Sequence, residues 1–158
     1  MSIQIGDKLP NTELKVMGEA GPESITIEQL CAGKKVVLFA VPGAFTPGCS
    51  MTHLPGFVVL ADQIKAKGVD SIICLSVNDA FVMDAWGKAQ NAEEIIMLAD
   101  GIAEFTQAIG LEKDLTGVQF GIRSQRYAMI VEDGVVQTLN IDEKGVDKSS
   151  AETILASL

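Results

Sequence analysis

The stretch Val41-Pro-Gly-Ala-Phe-Thr-Pro-Gly-Cys-Ser50 decides how the rest of this chain is interpreted. It follows residues 35–40, a short apolar run that is typical of a buried strand. Thr46 followed by Pro47 is the pattern of a helix start, because a hydroxyl residue caps the first turn and proline at the first helical position gives up no hydrogen bond. The stretch therefore predicts a strand, a turn and a helix that begins at Pro47.

Cys49 falls at the third position of that predicted helix. The first turn of a helix has unpaired N–H groups and the positive end of the helix dipole, and both stabilise an anion such as a thiolate. Gly48 leaves room for a small molecule to approach the sulfur. The pattern indicates a chemically activated thiol at a strand-to-helix turn.

Composition limits the classes of function. The 158 residues predict a single domain over 1–158, and a net charge of −9 argues against binding to nucleic acid or to an anionic membrane. No apolar run approaches the ~20 residues that span a bilayer. Three cysteines provide no even disulfide framework, which favours a reducing compartment, and we predict the cytoplasm.

The remaining chain alternates between apolar runs and helical periodicity. Buried strands are predicted at 71–77, 95–99 and 126–131, with a hairpin at Asp133-Gly134 and a return strand at 135–141. Helices are predicted after Pro47, kinked or restarted at Pro55 and ending at Gly68, and also after Asn78-Asp79, at 103–109 and at 150–158. This order predicts an α/β fold with a central mixed β-sheet flanked by helices.

The first thirty residues give weaker signals. A strand is predicted at 13–17, a tight connection at 18–22 and a short helix at 28–32. Cys31, near the end of that helix, is interpreted as a half-buried thiol without a chemical role, because nothing around it is cationic or starts a helix.

Several cysteine chemistries can be tested against this pattern. A Cys-x-x-Cys oxidoreductase is excluded by the spacing of Cys31, Cys49 and Cys74, and these cysteines with one histidine offer no paired short spacing for zinc. A cysteine protease needs a histidine base. The sole histidine, His53, lies four residues after Cys49 and therefore on the same helical face, but a locally hydrogen-bonded residue is the favoured interpretation. No metal or cofactor is expected.

The residues match a known family. Pro42-x-x-x-Thr46-x-x-Cys49 is the peroxiredoxin active-site motif, and its continuation Thr52-His-Leu-Pro-Gly-Phe57 closely resembles the peroxiredoxin-5 subfamily, which includes the plant type II enzymes. Other matches lie along nearly the whole chain: Gly6-Asp7-x-x-Pro10, Ser76-Val-Asn-Asp79, Ala85-Trp86 and Arg123-Ser-x-Arg126-Tyr.

This resemblance implies a thioredoxin-like fold and reduction of hydrogen peroxide and organic hydroperoxides. Cys49 would attack the peroxide and become a sulfenic acid, with Thr46 and Arg126 as donors and Pro42 shielding the thiolate from water. Gly48, Phe45 and His53 would belong to the substrate pocket. Arg123 is the weaker arginine candidate and is assigned to the preceding loop.

The resemblance leaves the recycling step open. Cys74 matches a strand cysteine of plant type II members and is either a resolving partner of Cys49 or a structural thiol, and we favour the structural interpretation. No cysteine occupies Lys148-Ser149-Ser150, where some animal members carry a resolving one. An external thiol is therefore expected as the reductant: glutathione with glutaredoxin, or else thioredoxin.

Two further expectations concern partners. Members of this type commonly form homodimers. The apolar residues around the motif suit either such a contact or packing within the chain, and the sequence leaves both open: Pro42, Ala44, Phe45, Pro47, Phe81 and Trp86. The alternative function is a peroxide sensor or holdase-like protein that uses the same cysteine but relays oxidation to a partner protein.

Overall fold

The computed structural model describes residues 2–158. These residues form nine strands: β1 (Glu13–Gly18), β2 (Gly21–Thr26), β3 (Lys35–Val41), β4 (Ser71–Ser76), β5 (Ile95–Ala99), β6 (Glu112–Leu115), β7 (Gly121–Ser124), β8 (Arg126–Glu132) and β9 (Val135–Asp142). Five α-helices accompany them: α1 (Ile27–Cys31), α2 (Leu54–Ala66), α3 (Ala80–Ala89), α4 (Glu104–Ala108) and α5 (Ala151–Ala156).

Seven strands form one sheet in the order β2-β1-β5-β4-β3-β8-β9. The central strands β3, β4 and β5 are parallel, and each pair is joined through a helix. The outer neighbours β1 and β8 run antiparallel to them, and β9 pairs with β8 after the turn at Asp133 and Gly134. The predicted mixed sheet is thus confirmed.

Side chains alternate between the two faces of the sheet, and each face has its own apolar layer. On one face Phe39, Cys74 and Ile130 pack with α2, α3 and α5, and Cys49 lies in the same layer. On the other face Leu38, Leu75 and Met129 pack with α1 and α4. The fold therefore places Cys49 and Cys74 in one layer, and Cys31 in the other.

The structure corrects three predictions. Residues 21–26 form strand β2, whereas the sequence predicted a tight connection at 18–22 and no strand before the helix at 28–32. The strand forms because its backbone pairs with β1 along its full length. Arg123 lies on β7, which forms a separate hairpin with β6 that the sequence did not predict, and not in a loop. Cys31 is buried, with 3% of its surface exposed, because α1 turns it into the second apolar layer.

Within residues 2–158, the helices are all too short or too polar to cross a membrane.

Candidate active site

The loop after β3 is held in place by the neighbouring strand. The backbone N–H of Ala44 donates to Oδ1 of Asn78 at 3.0 Å, and the hydroxyl of Ser76 donates to the same oxygen at 2.6 Å. Phe45 adopts a left-handed backbone conformation with φ of 64°, which is unfavourable for a residue with a Cβ and is found mainly where the surroundings impose it. The end of β4 thus fixes the turn that leads to Cys49.

The helix start lies where the sequence predicted it, but its first turns are wide. Pro47 and Gly48 are helical, and residues Cys49–His53 form a π-helical turn in which the N–H of Leu54 donates to the carbonyl of Cys49. The change from π to α spacing falls directly before Pro55, which has no N–H and whose ring would crowd a preceding carbonyl in a regular helix. The sequence predicted that the helix is kinked or restarted at Pro55, and the structure shows a change from a π turn to a regular α-helix at this point.

Two donors reach the sulfur of Cys49, whose residue has 0% exposure. Thr46 has one hydroxyl proton, and two acceptors lie within its reach: Sγ at 3.0 Å and the carbonyl oxygen of Gly43 at 2.6 Å. Nη2 of Arg126 lies 3.1 Å from Sγ. A hydroxyl and a cationic guanidinium on one sulfur are an arrangement that stabilises a thiolate and any negative charge that develops beside it.

Arg126 approaches the sulfur closely because Gly48 has no side chain. A Cβ at position 48 would lie 3.2 Å from Nη2 of Arg126, which is closer than such contacts normally are. Arg126 is the first residue of β8, so the sheet fixes its backbone beside the helix start.

His53 holds the other side of the same guanidinium. Its Nδ1 accepts from Nη1 of Arg126 at 2.8 Å, and its Nε2 donates to the carbonyl oxygen of Ser149 at 2.9 Å. These partners require the neutral tautomer with the proton on Nε2, because a guanidinium only donates and a carbonyl only accepts. Burial lowers the pKa of His53 from 6.5 to about 4, and the charge of Arg126 adds to this against the opposing effect of the Ser149 carbonyl.

Asp142 fixes the loop that carries Ser149. Its carboxylate accepts from the backbone N–H groups of Asp147, Lys148 and Ser149 and from the hydroxyl of Ser149. Burial alone would raise the pKa of Asp142, but these hydrogen bonds, the hydroxyl of Ser149 foremost, lower it to about 2. A continuous chain of hydrogen bonds thus runs from Asp142 through Ser149, His53 and Arg126 to Cys49.

The other two cysteines have no such partners. Burial, with a smaller contribution from Cys49, raises the pKa of Cys74 well above its ordinary range, and burial raises the pKa of Cys31 to about 11. All three cysteines are free thiols in the structure. Cys74 and Cys31 are therefore neutral near pH 7, and neither is a ready nucleophile in this conformation.

The predicted residues around the thiol divide into two groups. Pro42 is half-buried, while Phe45 and Gly48 are exposed beside the turn. His53, in contrast, is 1% exposed and packs between Phe39 and Phe57, so it supports Arg126 and does not line an open pocket.

For Trp86, the sequence left open a contact between protomers or packing within the chain, and the structure shows packing within the chain. The indole is fully buried, and its Nε1 donates to the hydroxyl of Ser50 at 2.9 Å. It packs within the chain because α3 directs it against the turn that follows Cys49.

An open cleft of about 510 Å³ adjoins the site, and we call it the Lys113–Lys144 cleft. Its walls include six residues that carry charge or border the motif: Pro42, Lys113, Arg126, Asp142, Glu143 and Lys144. Arg126 therefore borders both the cleft and the sulfur of Cys49.

Comparison with known proteins identifies the family. A family model described as Redoxin matches residues 4–155. Peroxiredoxin-2E of Arabidopsis thaliana, a chloroplastic protein, is 49% identical over 163 residues, which cover 99% of this chain and 70% of the relative. This chain belongs to the peroxiredoxins.

Solved structures agree with that assignment. Reduced Prx3 of Vibrio vulnificus in complex with H2O2 matches this peroxiredoxin with a TM-score of 0.95 and 62% identity, over 98% of each chain. Peroxiredoxin 5 from Alvinella pompejana matches with a TM-score of 0.87 and 35% identity, over 98% of this chain and 97% of that one. The predicted thioredoxin-like fold and the resemblance to type II and peroxiredoxin-5 proteins are confirmed. The peroxiredoxin is a thiol-dependent peroxidase, an oxidoreductase.

Sequence reasoning missed part of this peroxiredoxin's site. Asp142 and the carbonyl of Ser149 were not candidates, although they complete the support of His53. No motif could have identified them, because a backbone carbonyl carries no residue-type signal and 96 positions separate Ser149 from His53.

Proposed function

We propose that this peroxiredoxin reduces hydrogen peroxide and organic hydroperoxides through a sulfenic acid formed at Cys49. The observation that carries the proposal is the pair of donors on Sγ, Thr46 at 3.0 Å and Arg126 at 3.1 Å. These donors favour the thiolate, which is the nucleophilic form of cysteine.

The reaction follows from this geometry. The thiolate attacks one peroxide oxygen, the oxygen–oxygen bond breaks, and the second oxygen leaves with a proton as water or an alcohol. Negative charge moves from sulfur to the leaving oxygen, so donors on both atoms lower the barrier. Arg126 and Thr46 take this role, together with the N–H groups of Gly48 and Cys49, which have no intrahelical partner at the helix start.

Pro42 and Phe45 take supporting roles. Pro42 has a fixed φ and borders the cleft beside Arg126, where it limits the access of water to the sulfur. Phe45, which is 55% exposed beside the turn, is proposed to contact the organic part of larger hydroperoxides.

An external thiol returns the oxidised Cys49 to the thiolate, and glutathione with glutaredoxin, or else thioredoxin, is proposed for this step. Cys74 is assigned a structural role, because it is neutral and lies in the middle of the central strand β4. The chemistry uses a sulfur of the chain itself, and no metal or prosthetic group is proposed.

A homodimer is proposed through the face beside the motif. Phe45 and Phe81 are 55% and 65% exposed, and the contact of Ala44 with Asn78 brings their segments together. Large exposed aromatic side chains of this kind are typical of protein interfaces. The cytoplasm is proposed as the compartment, because free thiols persist in a reducing environment.

The decisive experiment is peroxide consumption with dithiothreitol as reductant, comparing wild type, Cys49→Ser and the matched variant Cys31→Ser. Activity is expected to disappear in Cys49→Ser and to remain in Cys31→Ser. Full activity of Cys49→Ser would overturn the proposal. Rapid oxidation of Cys49 without repeated turnover, with capture of a mixed disulfide to one protein, would instead support a peroxide sensor.

A further inference from the structure

We propose that the Lys113–Lys144 cleft binds glutathione beside Cys49 for the recycling step. This inference rests on the proposed function, in which an external thiol reduces the Cys49 sulfenic acid. It goes further by assigning glutathione a binding site on this chain.

The position of the cleft is the first argument. It lies between the β6–β7 hairpin, which carries Lys113, and the segment after β9, which carries Glu143 and Lys144. Arg126 forms part of its wall and contacts Sγ of Cys49 with Nη2. A molecule in the cleft therefore lies directly against the residue that holds the reactive sulfur.

Charge is the second argument. The chain carries a net charge of −9, yet three cations line this cleft against two carboxylates, and one of these, Asp142, is already hydrogen-bonded to residues 147–149. The cations are Lys113, Arg126 and Lys144. Both lysines are exposed, and among residues 2–158 neither takes part in an ion pair with an acidic side chain. Two cations without an acidic partner, on separate segments of the chain, favour a ligand with two separated anionic groups.

Glutathione has that pattern of charge. Its glycine carboxylate matches Lys113, while the ammonium and carboxylate of its γ-glutamyl end match Glu143 and Lys144, which are adjacent in sequence. Its thiol lies between the two ends, and Arg126, which contacts Sγ of Cys49, lines the same cleft. A volume of about 510 Å³ suits a tripeptide, since pockets for small molecules measure about 300–1,000 Å³.

The chemical step balances with glutathione as the only reductant. The glutathione sulfur attacks Sγ of the sulfenic acid, the sulfur–sulfur bond forms as the sulfur–oxygen bond breaks, and the oxygen leaves with the thiol proton as water. A second glutathione attacks the glutathione sulfur of the mixed disulfide, and Cys49 leaves as a thiolate. Because Cys49 is buried, the π turn Cys49–His53 must loosen before the sulfurs meet, and the link between the cleft and that turn is Arg126, which lines the cleft and contacts Sγ.

The test measures reduction of Cys49 after oxidation with one equivalent of peroxide. The oxidised protein is mixed with increasing glutathione or dithiothreitol, and the products are quantified by rapid quenching and mass spectrometry. Lys113→Gln and Lys144→Gln are compared with Lys67→Gln, which removes an exposed lysine at the end of α2, away from the cleft.

We expect the rate to saturate with glutathione. The half-saturating concentration should rise about two- to fivefold in each cleft variant, which is the range for one exposed ion pair. The ratio of glutathione to dithiothreitol rates should fall in the cleft variants and stay constant in Lys67→Gln. Glutathione ethyl ester, which lacks the glycine carboxylate, should be insensitive to Lys113→Gln.

Three results would overturn the inference: a rate linear in glutathione, an equal loss in Lys67→Gln, or equal sensitivity of the ester to Lys113→Gln. Its failure is distinguishable from failure of the proposed function. If wild type consumes peroxide with dithiothreitol but its reduction rate rises linearly with glutathione and never saturates, only the cleft assignment fails. If dithiothreitol supports no turnover, the proposed function fails.

Discussion

Nη1 of Arg126 lies 2.8 Å from Nδ1 of His53, so a neutral buried histidine accepts a hydrogen bond from the arginine that reaches the reactive sulfur. The imidazole is itself fixed by the carbonyl of Ser149. Each nitrogen of the ring thus has one role. His53 therefore holds the guanidinium through Nη1, while Nη2 of the same guanidinium contacts Sγ of Cys49.

Removing the guanidinium should slow the first chemical step. We expect Arg126→Met to lower the single-turnover rate of peroxide attack roughly a hundred- to a thousandfold, as loss of a charge-stabilising donor does in other enzymes. Stopped-flow oxidation of the reduced protein measures this. Arg123→Met is the control, because Arg123 donates to the carbonyl of Pro42 and has no hydrogen bond to the sulfur. An unchanged rate in Arg126→Met would reduce Arg126 to a structural charge.

Replacing His53 separates positioning from packing. His53→Phe keeps an aromatic ring between Phe39 and Phe57 but leaves the Ser149 carbonyl and one Arg126 donor without their partner. The free energy of unfolding should fall by about 1–3 kcal/mol. The rate of peroxide attack should also fall, and His53→Gln, which offers both an acceptor and a donor, should restore part of it. A loss of stability with an unaltered rate would contradict the positioning role.

Acid should destabilise the folded state through His53. The folded pKa of about 4 lies below the ordinary 6.5, so between these values the unfolded chain binds a proton that the folded chain does not. The contribution of His53 to the free energy of unfolding is therefore fully present above pH 6.5. It is lost as the pH falls to about 4, and the total loss is on the order of 3 kcal/mol. Urea unfolding at several pH values measures the loss, which should be much smaller in His53→Phe. Equal slopes in the two proteins would assign the effect to other groups.

Cys74 should be dispensable for the first oxidation product. Because its thiol is neutral and lies in a central strand, we expect one equivalent of peroxide to leave a sulfenic acid on Cys49, or a glutathione adduct when glutathione is present. Mass spectrometry should show the same product for wild type and Cys74→Ala. A disulfide between Cys49 and Cys74 in wild type would refute the structural assignment.

Long apolar runs made much of the sheet predictable. Strands β3, β4 and β8 each bury a continuous row of side chains, and β5 is apolar throughout; such runs are visible in a single sequence. Strand β2 and the β6–β7 hairpin are largely exposed and polar, and pairing with a neighbouring strand, not burial, defines them. Such pairing leaves little local signal, which is why these elements were missed or misassigned.

The sequence by itself determined the reactive end of the site. Thr46, Pro47 and Cys49 act within one turn, so helix-start chemistry alone predicts an activated thiol, and the family motif adds Pro42 and Arg126. Only the tertiary structure decided how Arg126 is held. His53, Ser149 and Asp142 meet because β8 and β9 are neighbours in the sheet and the loop after β9 returns to the helix start. Hydrogen bonds between residues far apart in the chain follow from the packing of whole elements, and no local pattern of residues specifies them.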